Sequence, residues 1–231
     1  IPLCTSNRIN MPEVAEQVLA DGCADMISMA RPFLADENWV KKAKENRADE
    51  INTCIACNQA CLDHTFSNKL SSCLVNPRAC HETELNYTPT TAKKNIAVVG
   101  AGPAGLAFAS IAAERGHTVT LFEADKEIGG QFNMAKKIPG KEEFYETLRY
   151  YKRQLELHKV DVQLNKKVNA DDLKAFDEVV IATGISPRHL QLDGIEHPKV
   201  VSYIDVLKNG VEVGKKVAVL SAGGIGFGLS E

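Results

Sequence analysis

The sequence predicts an α/β protein in which strands alternate with helices on both sides of a cysteine-bearing segment. Three observations carry that expectation. Residues 1–45 run strand, helix, strand, helix. Residues 95–123 run strand, glycine turn, helix, strand. The stretch between, 50–92, follows neither the 3.6-residue nor the two-residue hydrophobic period. At 231 residues the chain has room for more than one compact unit, and its 44% hydrophobic and 25% charged content is that of a globular protein. With 27 basic against 30 acidic residues and no long run of one sign, neither nucleic acid nor a membrane surface is expected as the main partner. Seven cysteines is an odd number, and four of them fall in one cluster, which suits a reducing, cytoplasmic setting better than a secreted disulfide framework.

In order, Ile1 to Thr5 is a short strand. Asn10-Met11-Pro12-Glu13 opens a helix, with Asn10 suited to the N-cap, Pro12 to the first turn and Glu13 to a capping box; that helix ends near Asp21-Gly22. A second strand, Ala24 to Met29, delivers Arg31, and a further helix spans roughly 38–45. Arg8 and Arg31 each stand just past a strand end. Parallel barrels place phosphate sites in the loops after their last two strands, although on spacing alone two surface arginines are the favoured reading.

Cys54-Ile-Ala-Cys57-Asn-Gln-Ala-Cys61, eleven residues and then Cys73 make a C-x2-C-x3-C-x11-C pattern. Three thiols within eight residues can converge without help from distant parts of the fold, and a fourth from a short loop completes the set. Such thiolates ligate zinc or an iron–sulfur cluster, and the three-plus-one asymmetry favours the cluster over the paired hooks of structural zinc. Cys80, seven residues on, is read as a buried or idle thiol rather than a ligand. Residues 83–94, with Pro89 and several threonines, read as a linker.

Asn95 to Val99 is a buried-strand run, followed directly by Gly100-x-Gly102-x-x-Gly105, a helix to about Arg115, and a strand from Thr118 to Phe122 that ends on Glu123. The glycines allow a tight turn and close approach of backbone to a pyrophosphate, the helix N-terminus supplies N–H donors, and Glu123 can accept ribose hydroxyls. An acid there suits FAD or NAD rather than NADP. Ile96 to Ala113 is eighteen residues without a charge, yet its three glycines and Pro103 fit strand, turn and helix better than a membrane span. Gly129-Gly130-Gln131 precede a long helix from about Lys141 to His158, a strand at Val160 to Leu164, a short turn and then the strand residue Val168, and a strand from Glu178 to Ile181 running into Gly184. Lys216 to Leu220 is expected to begin a second such unit at Ser221-x-Gly223-x-x-Gly226, where serine replaces the first glycine at a cost of about 1 kcal/mol if that position needs a positive φ. Two dinucleotide units in tandem move a hydride from a nicotinamide to a flavin, and a cluster beside them offers a one-electron exit.

Ser6-Asn-Arg8-Ile-Asn10 and Ala24-Asp-Met-Ile-Ser-Met-Ala30-Arg31-Pro-Phe33 resemble the last two strands of the Old Yellow Enzyme flavin barrel. The cysteine run, with Ser72-Cys73-Leu-Val-Asn-Pro-Arg-Ala-Cys80-His-Glu82, is similar to the iron–sulfur segment of the bacterial NADPH-dependent 2,4-dienoyl-CoA reductases, as are Gly129-Gly-Gln-Phe-Asn-Met-Ala135 and Ile138-Pro-Gly-Lys-Glu-Glu-Phe144. The resemblance covers essentially the whole chain. It implies the end of an FMN-binding TIM barrel over residues 1–49, an iron–sulfur segment and linker over 50–92, an FAD-binding domain over 93–198 and the start of an NADP-binding domain over 199–231. Position by position, it implies that Arg8, Ala30 and Arg31 hold the FMN phosphate and that Cys54, Cys57, Cys61 and Cys73 ligate a 4Fe-4S cluster. It also implies that Gly100, Gly102, Ala104, Gly105, Glu123, Gln131, Lys141 and Val168 contact FAD. The implied reaction passes electrons from NADPH to FAD, singly through the cluster to FMN, and on to an unsaturated acyl-CoA. Ser221 departs from the pattern, as does Gly228 where the family carries an acid, and both bear on NADP binding. The acid and substrate-orienting residues of the family belong to earlier barrel strands, and no catalytic residue is assigned here. Ile1 inside an apolar run and Glu231 a turn into a helix suggest an internal piece of a longer protein. Competing readings are an enoate or bile-acid reductase of the same architecture, a flavoprotein like trimethylamine dehydrogenase (whose third cysteine lies closer to the second), and a non-enzymatic zinc-stapled nucleotide-binding module.

Overall fold

The computed structural model describes residues 1–188, 191–221 and 223–230. Strand β1 (Cys4–Ser6) pairs in parallel with β2 (Met26–Ser28), Thr5 opposite Ile27, and helix α1 (Pro12–Ala20) makes the crossover between them. Helices α2 (Arg31–Ala35) and α3 (Trp39–Lys44) follow, then a short 3-10 turn over Ala48–Glu50. Ile9, Ala15, Trp39 and Ile51 form the small apolar core of this unit. Helix α2 was not anticipated, although Pro32 in its first turn is a helix-start signal. The cap of α1 also differs from expectation. The N-cap is Met11, without a side-chain bond, because the Asn10 amide donates instead to the Cys54 carbonyl at 3.2 Å.

The cysteine segment holds one five-residue π turn, Gln59–Asp63, and the single-turn helix α4 (His64–Phe66). The eleven-residue loop that follows is closed by the Ser72 amide donating to the Ala60 carbonyl at 2.7 Å, which carries Cys73 back toward Cys61.

The second unit is a parallel sheet with strand order β5-β4-β3-β6, formed by β3 (Asn95–Val99), β4 (Thr118–Phe122), β5 (Asp161–Gln163) and β6 (Glu178–Ile181). Helix α5 (Pro103–Glu114) joins β3 to β4; α6 (Phe132–Ala135) and α7 (Glu143–Leu157) lie between β4 and β5. Val98, Leu106 and Leu121 are fully buried, and Leu155 of α7 closes the same core over α5. The charge-free run at 96–113 is thus a strand, a turn and a helix, and among the described residues no helix is long and apolar enough to cross a membrane.

Beyond β6, α8 (Tyr203–Leu207) begins with a capping box between Ser202 and Asp205, and α9 (Gly224–Ser230) follows the second glycine turn. Glu231, where that helix was expected to break off, lies outside the described residues. Two strand expectations fail. Val168 follows β5 in irregular, half-buried chain, because Asn165 takes φ +54° and the turn is tied down by Lys166 donating to the Glu123 carbonyl. Lys216 to Leu220 is not a strand: among the described residues no neighbour offers it a ladder of hydrogen bonds, and Val217 and Leu220 are exposed.

Candidate functional site

The glycine turn leaves β3 with Gly100 at φ +105°, a conformation that suits glycine. A methyl group there would meet the Ala182 carbonyl oxygen at 2.4 Å, and one on Gly105 would meet the Gly100 oxygen at 1.9 Å. These two glycines are required by the protein's own packing. Gly102 differs, since a Cβ built on it meets nothing within 4 Å. The space in front of Gly102 is a cradle that a side chain would fill, directly at the N-terminus of α5, where Pro103 has no N–H and Ala104 and Gly105 offer theirs. Gly129-Gly130 lies alongside, with the Gly129 amide donating to the Ala101 carbonyl at 2.7 Å.

Glu123, just past β4, accepts from the Ala101 amide at 2.7 Å through one oxygen and from the Asp125 amide at 2.9 Å through the other. Its carboxylate therefore faces the glycine turn from the neighbouring strand. Gln131 precedes α6 and donates to the Ile185 carbonyl at 3.1 Å, spanning from the Gly129-Gly130 segment to the loop after β6. Lys141 is half-buried in the turn before α7, where its amide donates to the Ile138 carbonyl. The donor set fits a dinucleotide: an open glycine cradle, free helix N–H groups and one carboxylate at the next strand's end.

Cys54, Cys57, Cys61 and Cys73 line one pocket together with Arg31 and Leu34. Cys54 is buried and the other three are half-buried. Burial pushes the Cys54 thiol up, opposed by the Ala56 amide, which points at its sulfur from 3.4 Å, and by the Arg31 charge. Burial likewise raises Cys73, opposed by the amides of Val75 and Asn76. The amide donors at sulfur and the nearby Arg31 charge oppose that rise and favour the thiolate form that metal ligation uses. Among the described residues no three His, Cys, Asp or Glu side chains converge on a single ion-sized point. The loop is held in an uncommon shape, with Ala56 at φ +53° and Asn58 at φ +60° ahead of the π turn that carries Cys61. Left-handed backbone at alanine costs about 1–2 kcal/mol and persists only where the surroundings impose it. Cys80 is exposed, not buried, and lies away from this pocket.

The two arginines take different positions. Arg31 donates to the Asn58 Oδ1 at 2.5 Å and to the Asn7 Oδ1 at 3.1 Å, so it ties the loop after β1 to the loop between Cys57 and Cys61. Ala30 is the residue before α2 and is exposed. Arg8, at φ +56°, is ion-paired with Glu143 at the start of α7 rather than grouped with Arg31.

Several residues that position this site went unnoticed in the sequence. Asp36, almost fully buried, takes Lys42 at 2.6 Å and the Asn52 amide at 2.8 Å; the Asn52 side chain donates to the Val75 carbonyl at 2.7 Å. Asn76 donates to the Leu34 carbonyl at 3.0 Å. These bonds fasten the stretches leading into Cys54 and out of Cys73 to the first unit. The asparagines flanking the cysteines, Asn52 and Asn76, were the available signal.

Comparison with known proteins bears on the fold and the family. A model of the NADH:flavin oxidoreductase / NADH oxidase family matches residues 1–50, and one of the pyridine nucleotide-disulphide oxidoreductases matches residues 94–231. A metal reductase of Desulforamulus reducens is 39% identical over 232 residues, covering 98% of this chain and 35% of its own length. A cinnamate reductase of Clostridium sporogenes is 34% identical over 233 residues, covering 98% of this chain and 34% of its own. Among solved structures, a 2-naphthoyl-CoA reductase in complex with 2-naphthoyl-CoA superposes with a TM-score of 0.88 at 40% identity, over 92% of this chain and 33% of that one. The chain spans about a third of the length of these relatives. The β1–β2 pair is accordingly the end of a parallel flavin barrel, set ahead of a dinucleotide-binding unit. Matched continuously from residue 94 to 231, well over half its length, the chain belongs to the pyridine nucleotide-disulphide oxidoreductase family.

Proposed function

We propose that these residues form the electron-relay portion of an NADPH-dependent flavoprotein reductase acting on the conjugated double bond of an unsaturated acyl-CoA, with 2,4-dienoyl-CoA as the substrate class. The observation that carries it is the single pocket shared by Cys54, Cys57, Cys61, Cys73 and Arg31. In this reading the four thiolates hold a 4Fe-4S cluster. Arg31 and Ala30 face an FMN phosphate, with Arg8 joining them only by leaving Glu143. The Gly100–Gly105 turn, Glu123, Gln131, Lys141 and Val168 line the FAD site. When bound, these groups convert a two-electron hydride donor into a one-electron supply. The chain's own residues do the rest. Gly102 and the α5 N-terminus accept the pyrophosphate, Glu123 exchanges its Ala101 bond for ribose hydroxyls, and the amides at Ala56, Val75 and Asn76 stabilise negative charge on sulfur. At the second turn, a methyl on Gly226 would meet the Ser221 carbonyl oxygen at 3.0 Å, the counterpart of the Gly100 oxygen that Gly105 approaches, and the added Ser221 Cβ at 2.4 Å. That likeness supports a nicotinamide-nucleotide site there despite Ser221. The acyl-CoA substrate draws its support from the resemblance of the cysteine segment and from the 2-naphthoyl-CoA reductase relative.

The test is anaerobic NADPH oxidation by the intact protein carrying these residues, with 2,4-dienoyl-CoA, cinnamate and 2-naphthoyl-CoA compared. Saturation at low substrate with the dienoyl-CoA alone supports the proposal, and preference for a free acid redirects it to the enoate reductases. A colourless protein with stoichiometric zinc would replace it with the zinc-stapled module.

A further inference from the structure

Helix α7 belongs to the dinucleotide-binding unit, yet it grips the chain leading into the cysteines. Arg149 donates through Nη2 to the Ile51 carbonyl at 2.7 Å and to the Thr53 Oγ1 at 3.1 Å, and through Nη1 to the Asp49 carbonyl. Its Nε is held by Glu146 at 2.5 Å, one turn back on the same helix. One turn on, Arg153 pairs with Asp49 at 2.8 Å, without hydrogen-bond alignment, and with Glu50 at 3.3 Å. The acceptors on residues 49, 51 and 53 alternate along the strip that ends at Cys54. On its other edge Asn52 is fixed to Asp36 and Val75, and the Cys54 carbonyl takes Asn10. Ile51 and Thr53 are at most 1% exposed. At the far side α7 packs on α5, the helix whose first residues frame the Gly102 cradle. A continuous packed path therefore joins Cys54 to the dinucleotide turn, and Arg149 is the clamp that α7 sets on the 49–53 backbone.

We propose that Arg149 is a positioning residue for electron transfer, holding Cys54 at a fixed separation from the dinucleotide turn. This rests on the proposed function, in which a flavin and an iron–sulfur cluster occupy those two places. The step concerned moves one electron and no heavy atoms: the flavin side is oxidised, the cluster side takes the same electron, and the accompanying proton goes to solvent, NADPH being the source. Transfer by tunnelling falls exponentially with separation, so looseness in the supporting shell shows in this step first. A lysine cannot replace the guanidinium, because one ammonium does not span three acceptors on alternate residues.

The experiment compares the intact protein with Arg149→Met, which keeps the apolar stem and removes every donor, and with Arg149→Lys. Iron and flavin content, stopped-flow bleaching of flavin and cluster by NADPH, and amide exchange at 49–54 are read together. Expected in Arg149→Met are full iron and flavin, flavin reduction at the parent rate, faster exchange at 49–54, and cluster bleaching slowed about tenfold or more, up to the roughly 100-fold that a misplacement of about 1 Å can cost. Arg149→Lys falls between. Cluster bleaching at the parent rate overturns the proposal, and so does loss of iron from both variants, which would make Arg149 an assembly residue. If the parent itself holds zinc or no metal, the function proposed above has failed. Amide exchange alone then decides Arg149, and unchanged exchange at 49–54 in Arg149→Met overturns its positioning role.

Discussion

Gly102 and Gly105 are one residue type three positions apart, and a side chain would do different things at each. At Gly105 a Cβ lands 1.9 Å from the Gly100 oxygen, so even alanine must push the turn away from β3. Gly105→Ala is expected to cost at least the roughly 1–3 kcal/mol of an overpacked core, seen as a lower urea midpoint. At Gly102 the same atom enters open space, so Gly102→Leu should leave the circular dichroism and midpoint unchanged while bound flavin is lost. Retention of full flavin absorbance in Gly102→Leu would show that the cradle is not the pyrophosphate site. The cysteines divide in the same manner. Cys61→Ser should remove most of the iron, because Cys61 lines the shared pocket, whereas Cys80→Ser should retain it, because Cys80 is exposed elsewhere. Iron analysis of the two variants decides, and the reverse pattern would make Cys80 a ligand.

At the scale of elements, β3, α5 and β4 were legible almost to the residue. Asn95–Val99 and Thr118–Phe122 match their expected bounds because burial, glycine spacing and helix period are all written within a few neighbouring positions. That local agreement also makes α5 a strong point of the fold. Leu106→Ala, at a fully buried site between sheet and α7, is expected to cost about 2–5 kcal/mol, read from the same denaturation midpoint. Contacts of long sequence separation were not legible. Asn10 reads as an N-cap because nothing nearby shows that the Cys54 carbonyl, 44 positions on, will claim its amide. Arg149 reads as one of several charges on an amphipathic helix, and its acceptors are backbone carbonyls about 100 residues earlier, which no side-chain pattern encodes. The four cysteines were legible as a set. The pairing of Arg8 with Glu143 was not, since it depends on how α7 approaches the first unit.

At the scale of the whole molecule, the described barrel portion is one two-stranded pair, and a flavin barrel closes with eight strands. The 231 residues alone, given FAD, FMN, NADPH and a dienoyl-CoA, should therefore oxidise NADPH no faster than free flavin does. Substrate-dependent turnover above that background would mean that Arg8 and Arg31 need no further strands to organise a flavin. The unpaired ribbon from 211 to 220 acts at the same scale. Val211, Val213, Val217, Val219 and Leu220 all stand open to solvent along an irregular chain, bent at Lys215-Lys216, whose amide groups meet no ladder among the described residues. Such a ribbon is a template for intermolecular β-pairing, and the adjacent charges of Lys215 and Lys216 are what a gatekeeper requires, repelling a second copy laid in register. Light scattering of the 231-residue chain should rise when both lysines are replaced by alanine and fall in Val219→Lys, so the ribbon that leads into the second glycine turn is also where one copy of these 231 residues meets another.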